Sequence, residues 1–167
     1  MTFRATRPRP QWSLFFALAA VVVVLDQITK AWVVGSFAVG LPVEILGDWL
    51  RIAITHNTGA LFGMFRDSAT LFALFSALVI GLIVAVQARA GRNLLLTIAL
   101  GLLLGGALGN FGDRVRLGYV VDFVDMGIGA WRFYTYNVAD AAITTSILTI
   151  IGMSLFPDLA RRLSGDA

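Results

Sequence analysis

The chain is organised by long apolar stretches that carry almost no charge. Residues 10–25 are apolar, and the pattern continues past Asp26 and Lys30 to about Val34. "SATLFALFSALVIGLIVAVQA" at 68–88 is uncharged, as is 93–112, and 141–157 forms a fourth run that ends at Asp158. A helix rises ~1.5 Å per residue and needs roughly 20 residues to cross a hydrocarbon core. The pattern therefore predicts membrane helices at about 12–34, 68–88, 93–113 and 138–157, the last borrowing residues from its flanks. A basic start and "ALAA" at 17–20 resemble a cleavable leader. The apolar pattern runs well past that point and further spans follow, so span one is read as a retained helix.

Two longer segments differ. In "FAVGLPVEILGDWLRIAITH", 37–56, alternation in "WLRIAIT" and turn signals at Gly40, Pro42 and Gly47–Asp48 predict short strands. "LGYVVDFVDMGIGAWRFYTY", 117–136, is rich in β-branched and aromatic residues, and Trp131, Tyr134 and Tyr136 suit the headgroup level. The expected fold is an all-α membrane protein: a four-helix bundle with a small extracytoplasmic β-sheet and a second outward loop. It forms one integral membrane domain over 1–167, with outward segments at about 35–67 and 114–137.

Composition agrees. Of 167 residues, 58% are hydrophobic and 14% charged, and mean hydropathy is +0.83. The absence of cysteine excludes disulfides and thiolate chemistry, and a single histidine, His56, excludes a histidine-rich metal site. The net charge of +3 forms no continuous basic patch, which argues against nucleic-acid binding. Basic residues sit before span one (Arg4, Arg7, Arg9), between spans two and three (Arg89, Arg92) and after span four (Arg161, Arg162). An even number of spans puts all three groups on one side, the cytoplasm by the positive-inside rule, so both termini are cytoplasmic.

The polar residues near the membrane then gather at the outer side. Asp26 and Lys30 share a helix face at i and i+4. Asn57 follows the first outward segment. Asn110, Asp113 and Arg114 close span three, Asp122 and Asp125 lie in the second outward segment, and Asn137 and Asp140 open span four. Charges at membrane depth are expensive and tend to mark function. Each also has a structural reading. Asp26–Lys30 reads as an ion pair. Asp113–Arg114 reads as a charged helix end, with Arg114 facing a lipid phosphate or a substrate backbone. Asn137 and Asp140 have capping-box spacing, so Asp140 taken alone reads as a cap. Gly101, Gly105 and Gly109 form a close-packing face. His56 reads as a surface or headgroup contact, and Asp125 as a solvated acid.

Asp122 resists the structural reading, because it stands in an apolar, aromatic segment with no basic residue within four positions. A loop folding back at the membrane surface would bring it to Asp140. Two adjacent carboxylates share a proton, so one activates water while the other polarises a carbonyl. Three alternatives stay open: a transporter using Asp26, Lys30, Asp122 and Asp140 as an ion path, a non-enzymatic lipid-binding protein, and a peptidase built on Asp113 of "FGD".

"DQITK" at 26–30, "NTGALF" at 57–62, "GGALGNFGDR" at 105–114, "VVDF" at 120–123 and "YNVADAAI" at 136–143 resemble, in order and context, bacterial lipoprotein signal peptidase, signal peptidase II. The resemblance spans nearly the whole chain. It implies a four-helix aspartyl endopeptidase of the bacterial inner membrane, with its site near the outer leaflet. Such an enzyme removes the signal peptide of diacylglyceryl-modified prolipoproteins just before the lipidated cysteine. Carried over by motif, Asp122 and Asp140 are catalytic, and Asp26, Lys30, Asn57, Gly106, Asn110, Arg114 and Asn137 support the site or bind substrate. It implies no metal and no cofactor. The expected partners are the prolipoprotein and membrane lipid, with no nucleic acid and a monomeric enzyme. The glycine-containing loop 127–129 is expected to act as a flap.

Overall fold

The computed structural model describes residues 10–58, 69–90 and 92–164. Arg4, Arg7, Arg9, Ser68 and most of the "NTGALF" motif, Leu61 included, lie outside the described residues. In chain order the elements are α1 (Trp12–Ser36), β1 (Val43–Leu46), β2 (Leu50–Asn57), α2 (Ala69–Gln87), α3 (Leu94–Leu117), β3 (Val120–Ile128), β4 (Trp131–Arg132), α4 (Val138–Leu155) and α5 (Pro157–Ser164).

Helices α1, α3 and α4 are long and apolar enough to cross a membrane, and Leu71–Gln87 of α2 is a shorter apolar helix. Helix α3 is central, packing on α1, α2 and α4. Its glycines set the spacing. A Cβ on Gly105 would lie 2.6 Å from Val22 Cβ and 2.8 Å from the Ala19 carbonyl of α1. On Gly106 it would lie 2.5 Å from the Ala139 carbonyl of α4. Small residues thus let the helix backbones approach closely. Phe15, Ala19, Ile83, Leu100, Leu104 and Ala107 fill the core among α1, α2 and α3. Large apolar side chains elsewhere on the helices, such as Val24, Ile28, Leu74 and Leu78, stay exposed, as lipid-facing positions do.

The expected all-α fold with a separate outward loop needs correction. The second outward segment is β3 and β4, and it joins β1 and β2 in one antiparallel sheet of order β1-β2-β3-β4. Its β-branched and aromatic residues suit a strand, but pairing with a partner over 60 residues away is a tertiary event. A second cluster, Val33, Ile54, Val121 and Phe123, seats the sheet on the end of α1.

Three helix ends also differ from expectation. Helix α3 continues past Asp113 and Arg114 to Leu117, where Gly118 (φ +79°) caps it, so those charges lie within the helix. Helix α1 extends to Ser36. The fourth apolar run breaks at Phe156. Pro157 cannot continue α4, but it suits the first turn of a new helix and opens α5.

Candidate active site

The site lies where β3, the outer end of α3 and the start of α4 meet. Its foundation is a buried ion cluster. The Lys30 ammonium is 2.8 Å from both Asp26 Oδ2 and Asp113 Oδ2, and donates to Asn110 Oδ1 at 3.2 Å. Three donors thereby meet three acceptors, which a buried ammonium requires. Gln27 donates to Asp26 Oδ2 and to Asp113 Oδ1, tying the two acids together. The remaining Asp26 oxygen accepts the Ala139 N–H at 3.0 Å, pinning the first turn of α4 to α1. Asp113 Oδ2 also accepts the Val121 N–H, which fixes β3 beside α3. Asp26, Lys30 and Asp113 therefore locate the elements that carry Asp122 and Asp140. Gly109 makes room for the cluster, since a Cβ there would lie 2.7 Å from Asp26 Oδ2.

Asp140 is the third residue of α4 in a complete capping box. Its N–H donates to Asn137 Oδ1 at 2.9 Å, and its own Oδ2 accepts the Asn137 N–H at 3.3 Å. Asp140 Oδ1 accepts Asn110 Nδ2 at 2.7 Å. Asp122 is only 2% exposed. Its Oδ1 accepts Asn137 Nδ2 at 2.7 Å and its Oδ2 accepts Asn57 Nδ2 at 2.9 Å. Asn137 thus bonds to both carboxylates, to Asp122 through its side-chain amide and to Asp140 through its backbone N–H, and Asn110 links Asp140 back to Lys30.

Local backbone geometry aims Asp122. Thr55 pairs with Asp122 and Ile52 with Val124, so β2 carries one extra residue opposite Phe123. Such a bulge re-aims side chains. Val121 and Phe123 face the apolar cluster below, and Asp122 between them points to the other side of the strand. Burial first, and then the charge of Asp140, push the Asp122 carboxyl up to about 7. The hydrogen bonds from Asn57 and Asn137 and the Lys30 charge oppose that rise without cancelling it. Tyr134 is likewise raised, by burial and then by the charges of Asp140 and Asp122.

Asp140 also borders a cleft of about 430 Å³ lined by Met126, Phe133, Tyr134, Tyr136 and Thr144. Its aromatic wall and single carboxylate suit an apolar chain presenting one polar group. Arg114 donates to the Asn110 carbonyl at 3.3 Å and lies over the Phe72 ring at 5.7 Å, and its buried Nε has no partner among the described residues. Among the described residues no group of three His, Asp or Glu side chains is placed to hold a metal ion.

A family model described as signal peptidase (SPase) II matches residues 18–156. The chain belongs to the signal peptidase II family. It is 39% identical over 138 residues to a lipoprotein signal peptidase of Symbiobacterium thermophilum, covering 80% of this chain and 89% of that one. It is 38% identical over 146 residues to one of Coxiella burnetii, covering 84% and 89%. A solved structure described as a bacterial membrane enzyme superposes with a TM-score of 0.82 at 31% identity, covering 93% of this chain and 94% of the other. Membership makes the chain a signal peptidase, hence a protease, and its apolar helices fit a membrane protein.

Within this signal peptidase II fold, all nine residues singled out by motif lie in or against the site. Asn57, Asn110 and Asn137 bond to the two aspartates, while Asp26 and Lys30 form the foundation. Gly106 sets the α3–α4 spacing, and Arg114 lies one turn beyond Asn110. Two sequence readings need correction. Asp113 partners Lys30, Gln27 and the Val121 N–H rather than Arg114, and both its oxygens are engaged. Asp125 is not solvated: it is buried and held by Arg51 at 2.7 Å and Arg132 at 2.6 Å. Burial alone would raise Asp125, but these two arginines outweigh it and hold the carboxyl below its ordinary value. Gln27 was missed, although its place inside "DQITK" was a signal. His56 is exposed and stacks on Tyr119 with ring centroids 4.1 Å apart.

Proposed function

We propose that this protein is an aspartyl endopeptidase that removes the signal peptide from diacylglyceryl-modified prolipoproteins, cutting just before the lipidated cysteine. The observation that carries the reading is that the carboxylates of Asp122 and Asp140, from different elements, both bond to Asn137, Asp122 Oδ1 to its side-chain Nδ2 and Asp140 Oδ2 to its backbone N–H. Family membership supports the substrate class, since the relatives are named lipoprotein signal peptidases.

In the proposed reaction the ionised aspartate takes a proton from water, which attacks the scissile carbonyl. The protonated aspartate hydrogen-bonds the carbonyl oxygen and later passes its proton to the departing amine. The raised Asp122 carboxyl supports it as the proton holder. Asp140, at a helix N-terminus, is the base, because the helix dipole favours its ionised form. The two acids titrate as a coupled pair.

The chain is proposed to cross the bacterial inner membrane four times as a single domain and to act as a monomer. Both termini are then cytoplasmic, and the sheet and site lie at the outer leaflet. The substrate's acyl chains stay in lipid, and its cleavage site reaches the site at membrane-surface depth. Asn57, Asn110 and Asn137 hold the acids, Asp26, Lys30 and Gly106 set the spacing, and Arg114 orients the substrate. The test is cleavage of a diacylglyceryl-modified prolipoprotein by wild type, Asp122→Asn and Asp140→Asn, each checked for folding in detergent. Wild type cuts before the lipidated cysteine, while both variants fold and are inert. Near-normal turnover by either variant overturns the two-aspartate reading.

A further inference from the structure

At the end of the bundle opposite the aspartates, the start of α1 and the end of α5 are each tied to the residues just before α3. Gln11, just before α1, donates to the Arg92 carbonyl at 2.8 Å. Ser164, at the end of α5, donates to Asn93 Oδ1 at 3.1 Å. The same Asn93 oxygen caps α3 through the Leu96 N–H. Arg89, Arg92, Arg161 and Arg162 thus gather at one end, with Asp158 the one acid on α5.

Helix α5 is divided into three faces. Ala160 and Ser164 lie on the side that packs against α3, with Ser164 6% exposed. Asp158, Arg161 and Arg162 form the polar side, where Arg161 pairs with Asp158. The third side carries Leu159 and Leu163, continued backwards by Phe156, at i, i+3 and i+7. These three are 55%, 59% and 63% exposed, so nothing among the described residues covers them. A helix of eight residues is ~12 Å long, too short to span a bilayer, and one so short is marginal in water unless a face is buried. Apolar side chains on one side and arginines on the other are the features of a helix lying in a membrane interface.

The geometry points to α5 as a surface-lying anchor that docks the arginine-rich end of the bundle onto a leaflet of anionic lipid. Leu159, Leu163 and Phe156 enter the boundary between headgroups and acyl chains. Arg161 and Arg162, with Arg89 and Arg92 beside them, meet lipid phosphates. Charge decides the occupant: among the described residues at this end four arginines stand against one aspartate, which favours an anionic surface over a second copy carrying the same charges. The break at Pro157 is what lets the chain leave the axis of α4 and lie along the surface.

The chain has no cysteine, so single cysteines at Leu159 and at Asp158 can each carry a polarity-sensitive dye without competing labels. The full-length protein is reconstituted into phosphatidylcholine vesicles with and without phosphatidylglycerol. The Leu159 label is expected to report an apolar environment and the Asp158 label a wet one, with the docked population larger when phosphatidylglycerol is present. Arg161→Gln with Arg162→Gln should reduce the docked-to-free ratio by roughly 25-fold, about fivefold per arginine, with the difference shrinking at high salt. The double lysine variant should keep most of the docking, and an unchanged melting temperature separates lost docking from misfolding. Equal docking in both lipids, a wet Leu159 label throughout, or shielding that rises with protein concentration would each overturn the assignment, the last in favour of a second copy. None of these readouts involves peptide cleavage, so the result is independent of the proposed peptidase mechanism.

Discussion

Asn137 donates from Nδ2 to Asp122 Oδ1 at 2.7 Å, while its own Oδ1 caps the helix that carries Asp140. One amide therefore sets both the start of α4 and the placement of the carboxylate on β3. Replacing it separates the two roles. Asn137→Asp keeps a cap acceptor but loses the donor to Asp122 and adds a like charge. Because Asn137 is fully buried, losing the Nδ2 donors to Asp122 and Asn110 beside a new charge should cost at least about 1–3 kcal/mol, and turnover should fall 100-fold or more. Asn137→Ala should lose both cap and activity. Peptidase assays paired with thermal melts check this, and an active Asn137→Asp enzyme contradicts the shared role.

The Asp122 carboxyl, held up at about 7, predicts two pH effects. If Asp122 is the proton donor, kcat/KM falls as pH rises through about 7, giving the basic limb of a bell. Folding responds in the same window. Between the ordinary aspartate value and about 7 the folded state holds a proton that the unfolded chain has lost. Wild-type stability therefore declines over that range as pH rises. The Asp122→Asn variant should lack this slope. Parallel pH dependence of the two melting temperatures would remove the assignment.

Lys30 neutralises two buried acids, Asp26 and Asp113. Lys30→Met strands both and should destabilise by about 3–5 kcal/mol. Adding Asp113→Asn removes one stranded charge and should restore part of that loss. A double-mutant cycle measured by thermal or denaturant unfolding tests the coupling. Simple additivity would mean that the three groups act independently.

The glycines of α3 differ sharply in the room they leave. Gly106→Ala pushes a Cβ to 2.5 Å from the Ala139 carbonyl, on the first turn of α4. It should cost about 1–3 kcal/mol and reduce turnover, because α4 carries Asp140. Gly112 has nothing within 4 Å of an added Cβ, so Gly112→Ala should be neutral or stabilising by up to ~1 kcal/mol. Equal tolerance at both positions would refute the spacing argument.

The segment 127–129, expected as a flap loop, is instead the end of β3, where Gly127 and Ile128 pair with Arg132 and Trp131 of β4, and the start of the turn between them, and it is clasped in this conformation. Arg132 bridges Asp125 and Asp48, Arg51 joins the same pair, and Asp48 accepts the Gly129 N–H. Alanine at Gly127 would strike the Trp131 carbonyl and the Arg132 backbone, so it reports on packing rather than motion. Arg132→Gln is the cleaner probe. If opening limits turnover, releasing the clasp raises kcat while KM rises with it. The clasp contribution to stability is present at neutral pH and lost in acid, as pH falls through the depressed Asp125 value. Unchanged kinetics in Arg132→Gln would remove the flap from the mechanism.

Much of this protein is legible in its sequence. Charge-free runs mark the apolar helices, because hydrocarbon excludes charge, and their bounds fall within a few residues of α1, α2, α3 and α4. The Asn137–Asp140 capping box, the Asp26–Lys30 pair and the close-packing glycines are local patterns with fixed helical spacing, and each was visible. The motifs also placed the candidate aspartates. The sequence alone left Asp113 and Asp125 misassigned, because their partners, Lys30 at one and Arg51 with Arg132 at the other, come from different elements. Merging of the two outward segments into one sheet, the β2 bulge that aims Asp122, and Asn137's contact with both acids were decided by tertiary structure. Strand pairing and convergence join residues tens of positions apart, and no local spacing encodes which distant neighbour satisfies a buried charge.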